Sequence, residues 1–413
     1  MPKILFVANQ YAPNVIGGAE LSVQTLVEEL HGRGHQVAVA SLSRDGTDSE
    51  DFVNGVRVYR VGSRNLYTPF TGPQHALVRA AFHAIDVYNP WMGHQLARIL
   101  DRERPDWVSA HNIAGFSTSV WSTVKSRGIG LIQVLHDYWA VCPQTRMNKD
   151  GHNCERPCGV CSVYGAPKRY ASRLPDVAIG VSKFAIEKHL ENGYFPRART
   201  GVAYNGRPYT RPTEYKPRTP GAPLRLGFIG RIEEAKGIEE LLTALSRLPP
   251  DRWTLRVAGR PVDPAYLDAL KERFPLPQVE YLGYVKAAEL YQSIDMLVVP
   301  SRWHETLCVV VYEALGFGLP VLAARVGGIP EILEGHDCGW LFEPGNAGDL
   351  EANLRARLDG WPDPEGLWER AIQRRTFFTP ERQADSYLAL LEGREGSPPR
   401  VEARGKRRLA FAL

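Results

Sequence analysis

The chain has 413 residues, 44% of them hydrophobic and 23% charged, with a formal net charge of +4. That length exceeds one ordinary core, so two domains are expected, and the balance is that of a globular enzyme rather than a disordered or fibrous chain. No apolar run reaches the roughly 18 residues of a membrane span. The charge excess sits at the end: from Arg394 on, six basic residues (Arg394, Arg400, Arg404, Lys406, Arg407, Arg408) face two acidic ones (Glu395, Glu402), which leaves the body near neutral and without a nucleic-acid surface.

The opening "MPKILFVANQ" carries an apolar run too short for a signal-peptide core and reads as a first strand. The expectation is a cytoplasmic protein. "GAELSVQTLVEELHGRGH" then repeats apolar residues at Leu21, Leu26, Val27 and Leu30 and stops at Gly32 and Gly34, as helices do. "QVAVASL", "DWVSAHN", "GLIQVLHD" and "DVAIGVS" read as further strands of this half. The aromatic-bearing stretch from Tyr59 to Trp91 is a candidate for ligand contacts, and equally reads as ordinary core and loop.

"GRPYTRPTEYKPRTPGAP", Gly206 to Pro223, places prolines at 208, 212, 217, 220 and 223. Such a run is neither a central strand nor a helix interior and reads as an interdomain connection. The rhythm then restarts. "LRLGFIG", "WTLRVAG", "VEYLGYV", "DMLVVPS" and "PVLAARVGG" are strands, and "GIEELLTALSRL" is an amphipathic helix. "TPERQADSYLALLEG" closes the pattern with Thr379 as N-cap, Pro380 at the first helical position and Gly393 past the end. Strand–helix alternation in both halves predicts an α/β chain of two doubly wound parallel sheets facing a central cleft. The expected domains are 1–206, a connection over 207–223, 224–378, a helix over 379–393 packing back on the first domain, and a basic, disordered tail over 394–413. That tail is a candidate for peripheral contact with anionic lipid at the inner face of the membrane.

Ligands of open parallel sheets lie at the carboxyl ends of strands. There the first half offers Asn9, His111–Asn112, His136–Asp137 and Ser182. The second offers Gly230–Arg231, Gly259–Arg260 and Ser301. In "QYAPNVIGGAE", Gly17 and Gly18 open a helix whose free N–H groups suit an anion, although a plain tight turn reads the same; the G-x-G-x-x-G dinucleotide fingerprint is absent. In "GRIEEAKGI", Arg231 and Lys236 suit a diphosphate, or are surface cations beside Glu233 and Glu234. In "SRWHETLCVVVYEALGFGLPV", Glu305 lies in a loop before a helix that starts near Thr306 or Leu307, and Glu313 comes about two turns inside it. The helix start suits a phosphate, and the two carboxylates suit hydroxyl groups on either side. As an isolated pair they are equally a loop charge and a half-exposed helix residue.

Together, "GGAE", "GRIEEAKG" and "HETLCVVVYEALGFGLPVLAARVGGIPEIL" resemble family 4 of the retaining glycosyltransferases (glycosyl transferases group 1), with the GT-B fold of two Rossmann-like domains. The resemblance runs from Met1 to about Glu392 and is densest from Leu224 to Leu350. It implies a hexosyltransferase using a UDP- or GDP-linked sugar, with a saccharide, lipid-linked or small-molecule acceptor, in cell-surface polysaccharide or glycolipid assembly. By the same resemblance Arg231 and Lys236 bind the donor diphosphate, Glu313 the ribose hydroxyls and Glu305 the donor sugar. The backbone from Thr306 through Leu307, Cys308 and Val309 meets the distal phosphate, Gly18 (beside Gly17) approaches the same group, and His136 in "LHDYW" faces the sugar. No Asp-x-Asp motif is present, and the cations with the helix dipole take the leaving-group charge without a metal cofactor. An epimerase or phosphorylase on the same architecture, or a non-catalytic nucleotide-sugar-binding subunit, stays open.

Four of the six cysteines cluster in "CPQTRMNKDGHNCERPCGVC": Cys142, Cys154, Cys158 and Cys161. In a reducing compartment such a cluster points to a structural zinc ahead of disulfides or free thiols. The C-x3-C-x2-C spacing also matches radical iron–sulfur enzymes, a reading opposed by the fourth cysteine and by the doubly wound surroundings. Cys308 and Cys338 stand alone and are expected to be buried.

Overall fold

A computed structural model describes residues 1–14, 17–69, 72, 74–149, 151–209, 212, 214–215, 217–219, 221–361 and 363–394. The basic tail after Arg394 and part of the proline-rich connection lie outside these residues. The chain divides into two compact units. Unit 1 holds Met1–Thr145, Arg156–Ala203 and the chain from Ala384; unit 2 holds Arg146–Glu155 and Tyr204–Gln383. The division therefore departs from simple chain order: a short segment inside the first half counts with unit 2, and the end of the chain counts with unit 1.

Unit 1 is built on an eight-stranded sheet. Its order is Arg199–Val202, Val177–Gly180, Gly130–Leu135, Trp107–Ala110, Ile4–Ala8, Val37–Leu42, Val56–Val61 and Ser49–Val53. All neighbours pair in parallel except the edge strand Ser49–Val53, which runs antiparallel to Val56–Val61. Every residue of Ile4–Ala8 is buried, as befits a strand covered on both faces. The first helix spans Gly18–Gly32 and buries Val23, Leu26, Val27 and Leu30. Leu21, expected on that face, is 42% exposed, because the buried stripe runs through Ser22 and Val23 instead. Tyr59 and Phe82 belong to the core, whereas Tyr88 and Trp91 are exposed.

The closing helix Pro380–Glu392 begins where Thr379 caps it, the hydroxyl accepting from Arg382 N–H at 3.4 Å. Its later turns belong to unit 1. There Tyr387 stacks on Phe6 with ring centroids 6.2 Å apart, and Arg33 pairs with Asp385 at 2.6 Å.

Unit 2 carries a six-stranded, wholly parallel sheet in the order Val279–Gly283, Trp253–Ala258, Leu224–Ile229, Met296–Val299, Val321–Ala324, Gly339–Phe342. Buried Arg375 ties the later helices to the start of the unit: its guanidinium donates to Phe378 O at 2.7 Å and to Arg207 O at 2.5 Å. Tyr312 stacks on Phe378 at 4.6 Å. Among the described residues, no helix is long and apolar enough to cross a membrane.

Candidate active site

Strand order locates a crevice in each sheet. In unit 2 the chain winds one way from Leu224–Ile229 through Trp253–Ala258 and the other way from Met296–Val299 through Val321–Ala324. Leu224–Ile229 and Met296–Val299 are neighbours, so their carboxyl ends flank the switch point where doubly wound sheets bind ligands. Arg231 and Lys236 follow the first of these strands, and Ser301 and Glu305 the second.

Two glycines let these loops meet. Gly237, at φ 71°, ends the short turn Glu234–Lys236, and a Cβ there would lie 1.8 Å from the Pro300 carbonyl oxygen. Gly327, at φ 61°, presses on the backbone of Glu305, and its neighbour Gly328 donates N–H to Glu305 O at 2.8 Å. Any side chain at either position would push the loops apart.

The result is a tight polar knot. Lys236 Nζ lies 2.5 Å from Glu305 Oε1. The same oxygen accepts from Trp303 Nε1 at 2.8 Å and from Ser301 Oγ at 2.9 Å. The Lys236 ammonium also sits 5.0 Å from the centre of the Trp303 ring. Half-exposed Arg231 pairs with Glu233 at 2.7 Å, and Glu233 holds Arg146 at 3.1 Å. Thus each cation assigned to the diphosphate already has a carboxylate partner. Sequence reading gave Lys236 and Glu305 separate tasks; the structure brings them into one ion pair.

The helix after this loop spans Val309–Gly316, with Cys308 as N-cap and no side-chain cap. It starts later than the expected Thr306 or Leu307, because Leu307 and Cys308 are buried as part of the entering loop. Glu313 is accordingly about one turn inside, not two. The uncapped first turn leaves N–H groups of the kind that bind anions. Burial pushes the Cys308 thiol far up, so it stays protonated beside that turn. Glu313 receives Tyr291 OH at 3.4 Å and lies 3.5 Å from Arg207 Nε. Burial raises its pKa, while Arg207 and Arg375 pull it back. Its carboxylate lines a groove of about 1080 Å³ shared with Arg207, Tyr209, Tyr291, Phe317 and Arg375.

In unit 1 the switch point lies between Ile4–Ala8 and Trp107–Ala110. Gly17 is the N-cap of the first helix, and its N–H is taken by Glu20 Oε2 at 2.9 Å. A Cβ on Gly17 would meet nothing closer than that carboxylate, at 3.4 Å. Gly18 begins the helix itself. His136 follows Gly130–Leu135 and is buried, and its Nε2 lies 2.8 Å from Nδ1 of His111, which follows the adjacent strand. His111 Nε2 in turn meets Ser109 Oγ at 3.0 Å. Burial drives His111 well below the ordinary histidine range, so it is neutral. Sequence reading placed His111 at a strand end without giving it a role; its partnership with His136 follows from strand pairing.

Cys142, Cys158 and Cys161 belong to unit 1. Cys142 and Cys161 sulfurs are 3.7 Å apart, and Cys158 also hydrogen-bonds the Cys161 thiol. Burial and these neighbouring thiols push Cys161 strongly up. Cys154 belongs to unit 2, where its N–H donates to Met147 O at 2.7 Å. Among the described residues, no group of three or more His, Cys, Asp or Glu side chains is placed to hold a metal ion. Cys308 and Cys338 are buried, as expected.

Comparisons with known proteins identify the family and the fold. Residues 16–211 match the model of Glycosyltransferase Family 4, and residues 214–374 that of Glycosyl transferases group 1. An uncharacterized 42.6 kDa protein in the cps region of Klebsiella pneumoniae is 30% identical over 331 residues, covering 80% of this chain and 87% of that one. A GDP-mannose-dependent alpha-mannosyltransferase of Mycolicibacterium smegmatis is 25% identical, covering 83% and 84%. Among solved structures, Anabaena HepE in complex with UDP superposes with a TM-score of 0.70 at 19% identity, covering 95% of this chain and 100% of that one. The chain is therefore a glycosyltransferase of family 4, with the GT-B fold.

Proposed function

We propose that this glycosyltransferase moves a hexose from a UDP- or GDP-linked donor to an acceptor hydroxyl with retention of anomeric configuration. The observation that carries the reading is the unit 2 switch point. Lys236 and Glu305 are paired there beside the uncapped start of Val309–Gly316, with Glu313 one turn on. Arg231, Lys236 and the first-turn amides take the diphosphate. Glu313 takes the ribose and Glu305 the sugar hydroxyls. The proposal also assigns Gly17 and Gly18 to the distal phosphate and His136 to the sugar.

In the reaction, the bond from the anomeric carbon to the phosphate oxygen breaks as the acceptor oxygen bonds to that carbon on the same face. The acceptor's proton passes to the departing phosphate. Arg231, Lys236 and the helix N-terminus stabilise the leaving charge, so no divalent metal is required. The proposed acceptor is a polysaccharide or glycolipid. The reading places the enzyme in the cytoplasm and includes peripheral contact of the basic tail with an anionic membrane surface.

The proposal includes a structural zinc on thiolates of the cysteine cluster, apart from catalysis. The 3.7 Å separation of Cys142 and Cys161 suits one edge of a tetrahedron of thiolate bonds about 2.3 Å long. Metal analysis of the purified protein tests this: about one zinc per chain supports it, and a brown iron–sulfur chromophore or no metal refutes it.

A thermal-shift screen of UDP-glucose, UDP-galactose and GDP-mannose, followed by transfer assays with and without EDTA, tests the main reading. Stabilisation by one donor and EDTA-resistant transfer are expected. Failure of every nucleotide sugar to stabilise the protein would overturn the donor assignment.

A further inference from the structure

Between Thr145 and Arg156 the chain leaves unit 1, lends Arg146–Glu155 to unit 2 and returns. The proposed transfer chemistry does not use this segment. It forms a two-stranded antiparallel ribbon, Asn148–Lys149 with His152–Asn153, with Gly151 at φ 77°.

The ribbon lies on both loops of the donor site. Asn153 Nδ2 donates to Arg302 O at 2.6 Å, and its Oδ1 accepts from His304 N–H at 3.1 Å. A carbonyl and the N–H two residues later are the pair of groups a parallel neighbouring strand would engage. One carboxamide takes the place of that strand. The two groups flank Trp303, whose indole N–H donates to Glu305. At the other end Arg146 holds Glu233, the partner of Arg231. Gly151 is pressed so close that a Cβ would lie 2.9 Å from Glu234 Oε1. The ribbon thus touches the supports of both Glu305 and Arg231.

We propose that this ribbon is the positioning element of the donor site, and that Asn153 is a positioning residue acting through Trp303 on Glu305. The inference rests on the donor-site reading above. Asn153→Asp is nearly isosteric. It keeps the acceptor for His304 N–H but turns an oxygen toward the Arg302 carbonyl. A misplaced loop of this kind costs transfer up to about a hundredfold.

The experiment is a double-mutant cycle in kcat/KM, with UDP-glucose and GDP-mannose as probes and Tm measured for each variant. Asn153→Asp should lower transfer roughly tenfold or more in the wild-type background and less than about twofold in Trp303→Phe, because both act on one group. Additive effects would overturn the proposal, as would wild-type transfer by Asn153→Asp. Should that variant not fold, Asn153→Ser takes its place in the same cycle. Glu305→Gln is the control. Undiminished transfer in it sinks the donor-site reading itself, whereas its collapse beside an unaffected Asn153 variant sinks only the ribbon's role.

Discussion

Lys236 Nζ and Glu305 Oε1 lie 2.5 Å apart, although the residues come from loops after different strands. In the proposed donor site, the pair keeps the ammonium occupied until a diphosphate shares it. Glu305→Gln should therefore bind free UDP or GDP as tightly as the wild type, or several-fold more tightly, while transfer falls about a hundredfold or more. Lys236→Met should lose both nucleotide affinity and transfer. Calorimetric titration beside an activity assay separates the two outcomes. Weaker nucleotide binding by Glu305→Gln would mean the pair does not hold Lys236 in reserve.

Glu313 carries a pH prediction. Its folded pKa is raised above the ordinary 4.5, chiefly by burial. A carboxyl with a raised folded pKa contributes stability that is present below the unfolded pKa and is lost as pH rises through the folded pKa. Glu313→Gln removes the ionisable group, so the ligand-free variant should melt higher than the wild type at pH 8, with the gain fading toward pH 4.5. Its nucleotide affinity should fall, since the ribose loses its carboxylate. A variant that melts lower at pH 8 would show that the ion pair with Arg207 outweighs burial.

The sequence showed the sheets well because most of their strands are buried on both faces and so read as continuous apolar runs. Ser49–Val53 gave no such signal: it is an edge strand whose residues Ser49 to Phe52 are exposed. Glu305, Lys236 and Arg231 were legible as motif residues, but their partners were not. The Lys236–Glu305 pair depends on two glycine-permitted close approaches far apart in the chain. Asn153 is an unremarkable asparagine until the ribbon sets it against Arg302 and His304. The helix start was misplaced because Leu307 and Cys308 extend the apolar run of a helix they only lead into.

Lys168 is buried in unit 1, and its Nζ lies 3.6 Å from the centre of the Trp139 ring. Burial lowers its pKa to about 8, against the pull of Asp86 and Asp137. Burial in turn raises both aspartates to about 6. Lys168→Met leaves two buried carboxylates without the cation that draws their pKa values down, and should lower stability. With Lys168 gone the aspartate pKa values rise further. The stability deficit of the variant should thus be largest at pH 8 and shrink as pH falls toward about 6, because its carboxyls protonate above that value. Urea unfolding at pH 8 and pH 5 measures it, and a deficit that grows on acidification would contradict the arrangement.

His111 is the last case. His111 is neutral, so one proton lies between its Nδ1 and His136 Nε2, 2.8 Å apart. If Ser109 donates to His111 Nε2, His111 donates to His136; if Ser109 accepts, the direction reverses. Either way His111 fixes the tautomer that His136 presents. His111→Phe keeps a ring against Phe6, now 5.5 Å away, but deletes this contact. Transfer should fall roughly tenfold or more, since general acid–base and orienting roles of histidine depend on tautomer. UDP and GDP affinity, which the proposal assigns to unit 2, should be unchanged. His111→Asn, which can still donate or accept near the Nδ1 position, should recover part of the loss. Equal rates for the Phe and Asn variants would show that His111 only fills space.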